Sequence, residues 1–132
     1  MRQLALNSLT GILGGIVAFL FGTWNPLLSL FVIAIAIDYI SGIAASLREG
    51  RGLSSEIGFW GLARKGLMLF IVILAHHIDT VFGTVWIREG AISFYLANEL
   101  VSIVENYGRL GLPLPPKIRK FIATLKNNED KQ

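Results

Sequence analysis

Residues 26–47 read PLLSLFVIAIAIDYISGIAASL, a run with one charge, Asp38, and with Arg48 directly behind it. At ~1.5 Å per residue a helix over this run is about 33 Å long, enough for a hydrocarbon core of roughly 30 Å. Two other runs match it, 4–24 and 66–86, and a shorter, more polar one covers 91–107. The expected fold is an all-α membrane protein with three to four transmembrane helices and a short amphipathic C-terminal helix. Residues 1–110 form the transmembrane domain on this reading and 111–132 a basic tail. Composition agrees, with 53% apolar and 16% charged residues, a balance unlike that of soluble domains.

Charge gives the orientation. With the N-terminus in the cytoplasm and four crossings, Arg2, the loop with Arg48, Arg51, Arg64 and Lys65, and the tail from Arg109 onward share one side. Eleven of the 12 Lys and Arg residues then lie in the cytoplasm, and Arg88 alone lies outside. Cations accumulate in cytoplasmic loops, so N-in and C-in is expected. Trp24 and Trp86 would mark the outer interface and Trp60 the inner one, where indole rings prefer to sit. No small-x-small cleavage site precedes Trp24 and Pro26, so the first run reads as an uncleaved helix. The chain has no cysteine, which excludes disulfides and thiolate metal sites. The net charge of +3 gathers on one face and points to anionic lipid rather than nucleic acid.

Small residues define packing faces. In the first helix Gly11, Gly14, Gly15, Ala18 and Gly22 fall on adjoining stripes where another backbone can approach closely. In the second, Ala34, Asp38, Ser41, Gly42 and Ala45 share a stripe that is small and polar. A helix–helix contact within or between subunits explains both; so does glycine that is merely common in membrane helices.

Asp38 needs a polar neighbour, because an acid at mid-bilayer costs roughly 2.5–3.5 kcal/mol. His76, His77 and Asp79 in the third helix, and Asn98, Glu99, Ser102 and Glu105 in the fourth, complete a broad central layer of polar groups. Four readings stay open: a metal site, although His-His-x-Asp is no usual ligand spacing; a proton relay; interhelical hydrogen bonds of ~0.6–2 kcal/mol each; and the lining of a water-filled space formed on assembly. The fourth run narrows the choice. Two Glu near the core cost up to ~5–7 kcal/mol against about 2–4 returned by its aliphatic and aromatic residues. Such a helix does not sit comfortably alone in lipid. It either lies in the interface, docks its polar face on other helices, or turns that face to water in an oligomer.

The loop and tail read as surface anchors. Ser54 or Ser55 can cap a short helix from near Glu56 through Trp60 to Arg64 and Lys65. After Gly111, Pro113, Pro115 and Pro116, the apolar residues Ile118, Phe121, Ile122 and Leu125 repeat at helical spacing. Lys117, Arg119, Lys120 and Lys126 take the opposite face, which suits an anionic leaflet or a cap on an oligomer.

The order of these pieces resembles the phage lysis and toxin-secretion holins, small membrane proteins that accumulate and then permeabilise the cytoplasmic membrane. The resemblance covers roughly residues 37–125. It rests on Asp38 to Gly42, Ser54-Ser55 with Gly58 and Gly61, and Lys65 opening the third helix. It continues through Asn98-Glu99, Ser102, Glu105-Asn106 and the Gly111-Leu112-Pro113-Leu114-Pro115 turn. It implies homo-oligomers in the bacterial cytoplasmic membrane that open timed lesions and release a cell-wall hydrolase or toxin, with an antiholin as a further candidate partner. Asp38 and the polar face of the fourth helix would border the water path, and the Gly11 to Gly22 face would join subunits. No catalytic group or cofactor is expected. The rival readings are an antiholin of the same fold and a small proton-coupled exporter.

Overall fold

The computed structural model describes residues 1–52, 54–129 and 131; the side chains of residues 122, 125, 126 and 129 are outside the description. It is all-helical among the described residues: α1 Arg2–Phe21, α2 Pro26–Arg48, α3 Ser55–Phe82, α4 Trp86–Arg109 and α5 Pro116–Glu129. Three of these, α1, α2 and α3, are long and apolar enough to cross a membrane.

Local chemistry sets most of the ends. Asn25 caps α2, its side-chain oxygen accepting from the Leu28 N–H at 2.9 Å, with Pro26 in the first turn where no N–H is needed. Arg48 stands in the last turn of α2, where the helix dipole favours a cation. α3 stops at Gly83, which takes the left-handed conformation (φ 66°, ψ 29°) that ends helices without a Cβ penalty. α4 borrows its cap from α3: both carboxylate oxygens of Asp79 accept backbone N–H groups, from Ile87 at 3.1 Å and Arg88 at 2.8 Å. Thr84 donates its hydroxyl to the same carboxylate at 2.5 Å.

Several helix limits differ from the sequence expectation, α1 ending at Phe21 rather than Trp24. The short helix near Glu56 and the span from Gly66 are one continuous α3, which begins at Ser55 and ends at Phe82 rather than Trp86. Trp86 instead opens α4, five residues before Ala91. Glycine is tolerated inside a membrane helix whose backbone bonds are all internal, so Gly58, Gly61 and Gly66 do not interrupt α3. The residues 83–85 turn, stapled by Asp79, sets the boundary between α3 and α4.

α4 lies between α2 and α3 and packs most extensively on α2, while α1 touches the remainder chiefly through α3. α2 and α4 run in the same direction. At one end the Asn25 side chain donates to Glu89 at 3.2 Å, and at the other Arg109 pairs with Glu49 at 2.8 Å. The core between them is Leu28, Phe31 and Ala34 of α2 with Ile92 and Leu96 of α4, joined by Val72 of α3. α1 buries no residue.

Candidate functional site

Asp38 on α2 and Glu99 on α4 are both buried, and neither stands alone. Lys65 of α3 reaches between them, with Nζ 2.6 Å from Asp38 Oδ2 and 2.7 Å from Glu99 Oε2. Asn106 of α4 completes the seam. Its Nδ2 donates to Asp38 Oδ1 at 2.9 Å, to the Asp38 carbonyl at 3.1 Å and to Ser41 Oγ at 3.0 Å. Gly42 lies beside Asn106, whose Nδ2 would be 3.4 Å from a Cβ built there, an ordinary contact.

The register that brings these groups together is simple. Asp38, Lys65 and Glu99 each sit ten residues from the end of their own helix, counted from the end that carries Arg48, Ser55 and Arg109. At ~1.5 Å per residue that is one shared depth of about 15 Å. Two carboxylates and one ammonium leave the cluster with one formal negative charge. Burying ions is costly unless they are paired and hydrogen-bonded, and that condition is met: no buried side-chain nitrogen or oxygen among the described residues lacks a partner.

The sequence grouped other polar residues with these, and the structure separates them. Asp79 serves the α3–α4 turn at the opposite end of the bundle. His76 and His77 face α1, the His77 ring 5.1 Å from that of Phe19. Gly22 passes so close to His76 that a Cβ there would lie 2.5 Å from Cε1. Asn98 and Ser102 are half-buried along α4, and Glu105 is exposed. No group of three His, Cys, Asp or Glu that could hold a metal ion occurs among the described residues.

The small-residue face of α1 is open. A Cβ built on Gly11, Gly14 or Gly15 would meet nothing within 4 Å. A groove along this face is lined by Thr10, Leu13, Gly14, Val17 and Ala18 and ends at Gly22 and Trp24. Arg88 holds α1 at that end, donating from Nη1 to the carbonyls of Phe21 at 2.6 Å and Thr23 at 2.9 Å.

At the other end of the bundle Arg109 grips Glu49 through both carboxylate oxygens, at 2.8 and 3.1 Å. The Arg109 hydrogen bond holds the Glu49 carboxyl below its ordinary value. Arg48 lies over the next turn, where Gly111 takes φ 74°, a left-handed conformation that favours glycine, with the end of the Arg48 side chain against it. In α5, Lys117, Arg119 and Lys120 are exposed together with Ile118 and Phe121. The expected place of Lys126 on the basic face lies outside the described residues, as do those of Ile122 and Leu125 on the apolar one.

The model of the bacteriophage holin family matches residues 15–127. This chain belongs to the bacteriophage holin family. The match takes in the Asp38–Lys65–Glu99 seam, the α3–α4 turn and most of α5. A probable holin of Bacillus phage phi105 is 32% identical over 116 residues, which are 87% of this chain and 84% of that protein. An uncharacterized protein of Halalkalibacterium halodurans is 40% identical over 91% of this chain and 93% of its own length. One from Listeria monocytogenes is 43% identical over 90% and 86%. No solved structure matches.

Sequence reading put Lys65 on the cytoplasmic side, at the opening of the third helix, with no part in the polar layer, and gave Arg88 no role beyond the outer surface. A signal for Lys65 was available. Two acids at one depth in a membrane require a cation at that depth, and Lys65 is the basic residue that a continuous α3 brings there.

Proposed function

We propose that this chain acts as a holin: copies gather in the bacterial cytoplasmic membrane and open lesions that let a cell-wall hydrolase or a toxin escape. The observation that carries this reading is α4. It is the most polar of the four long helices, yet it lies lengthwise along α2, with its buried Glu99 and Asn106 satisfied inside a single chain. A helix with two acids cannot rest in lipid unaided, but docked in this way it crosses beside α2. The protomer is then stable in the bilayer while carrying a face able to line water once helices rearrange.

Four crossings put Arg48, Arg109 and α5 on the cytoplasmic side with both termini, as the distribution of cations favours. Lys117, Arg119 and Lys120 then meet the anionic leaflet, at about 1 kcal/mol for each nearby cation. The open Gly11, Gly14 and Gly15 face joins neighbouring subunits, where small residues let backbones approach. Asp38, Asn98, Glu99, Ser102 and Glu105 border the water path of the opened assembly.

Expression from a tight promoter, with membrane potential and escape of a co-expressed hydrolase followed in time, tests the proposal. Abrupt depolarisation with hydrolase escape after a delay is the expected result. Depolarisation without escape would reduce the lesion to a small ion path. An intact potential with steady growth would overturn the reading and favour an antiholin role for the same fold.

A further inference from the structure

Among the described residues, no other cation is placed as Lys65 is. It belongs to α3, yet its ammonium lies between an acid of α2 and an acid of α4, at 2.6 and 2.7 Å. Among the described residues no other cation forms an ion pair with either acid. α4 cannot carry Glu99 away from α2 without breaking one of these contacts. Without the ammonium, two carboxylates would face each other where the effective dielectric is low and repulsion is strong. The other hydrogen bonds between α4 and α2 come from Asn106 to Asp38 and Ser41 and, at the helix ends, from Arg109 to Ser46 and Glu49 and from Asn25 to Glu89. They do not touch Glu99.

We infer that Lys65 is a positioning residue, the ionic latch by which α3 keeps the polar face of α4 closed against α2 and so delays opening. This rests on the holin reading and deepens it by naming what restrains the lesion. While the latch is closed, Glu99 faces protein. When it opens, Glu99 and the neighbouring Ser102 turn toward water.

The absence of cysteine from the chain allows a direct test. Ser102→Cys, on the half-buried flank of α4, reports water exposure through labelling by a membrane-impermeant maleimide. Labelling is measured before any lysis, alongside the time to depolarisation, at matched membrane levels. Lys65→Met should shorten the delay and speed labelling several-fold. Lys65→Arg, which keeps a cation between the acids, should stay close to the parent. In the neutral triple variant Asp38→Asn, Lys65→Met, Glu99→Gln, labelling before lysis should fall back toward the parental rate, because the uncompensated charge that drives α4 from α2 is gone.

A Lys65→Met variant with parental delay and parental labelling would overturn the latch. So would a triple variant labelled as fast as Lys65→Met. Should Lys65→Met fail to accumulate, Lys65→Gln with Glu99→Gln, which leaves a single carboxylate, is read against the same two outcomes. Failure of the parent chain to depolarise the membrane would count against the holin reading, whereas the labelling rate judges the latch whether or not lesions form.

Discussion

α4 and α1 are opposites. α4 is the more polar helix and lies in the centre of the molecule, with Ile92, Leu96, Glu99 and Asn106 buried. α1 is the more apolar and lies at the edge with no buried residue, held at one end by Arg88. In water the arrangement would be reversed. In lipid, hydrocarbon is as good a neighbour for Leu as protein is, and only polar groups and close packing reward association. The helix that needs partners finds them within the chain, and the helix that does not is left with a free face for contacts between chains.

This contrast can be broken by mutation. The largest effect is expected in the seam. Phe31 is fully buried, and Phe31→Ala should cost about 3 kcal/mol, toward the low end for such truncations because lipid already accommodates hydrocarbon. Leu13→Ala in the α1 groove should change stability by less than ~0.5 kcal/mol. Denaturant melts of the purified protein in detergent measure both, and equal losses would erase the distinction between the helices.

Asn106→Ala comes next. It removes the donor to Asp38 and Ser41 and leaves buried acceptors short of a partner, at a cost of about 1–3 kcal/mol. The same melts check it, and a neutral result would mean the seam is held by Lys65 and apolar packing alone.

Gly15→Leu sharpens the comparison from the other side. Nothing lies within 4 Å of a Cβ at Gly15, so the melt should be unchanged while crosslinked ladders in membranes shorten. Gly22→Leu should do the reverse, lowering the melt, because Gly22 has φ 78° and abuts His76. Parental ladders from Gly15→Leu would remove α1 from the interface between subunits.

The smallest effect belongs to the Glu49–Arg109 pair at the exposed end. The Glu49 carboxyl titrates below its ordinary value of 4.5, chiefly through the Arg109 hydrogen bond and with Arg51 adding attraction. A depressed acid stabilises the fold above its unfolded value and loses that contribution as pH falls through the folded one. Glu49→Gln should therefore melt slightly below the parent at neutral pH and converge with it in acid. A constant gap across pH would assign the loss to packing instead.

Much of this was legible in the sequence. The helical class, the Asp38 stripe with Ser41 and Gly42, and the inability of α4 to stand alone in lipid all follow from residue type and spacing. What was not legible depends on where α3 begins. The sequence reading splits this stretch into a short helix ending at Arg64 and Lys65 and a span opening at Gly66, which leaves Lys65 at a helix end on the membrane surface. Moving the start to Ser55 takes the same lysine ten residues into the bundle and converts a surface charge into the partner of two acids. Which helix packs on α4 is a long-range fact that no local pattern encodes. Likewise His76, His77 and Asp79 share a layer with Asp38 in a sequence count, but they point to α1 and to the α3–α4 turn.

The extra length of α3 has a consequence of its own. With 28 residues against 20 in α1, it is about 42 Å long where α1 is about 30 Å. Ile57, Phe59, Trp60 and Leu62 are exposed on its first turns. In hydrocarbon roughly 30 Å thick, a helix of that length leans or thickens the lipid around it, at a fraction of a kcal/mol per Å. Lipid deformed around one copy would be shared if two copies met, so hydrophobic mismatch would favour association before any side chain of one touched the other. Clustering would then respond to acyl-chain length, weakening in thicker bilayers that fit α3 without distortion.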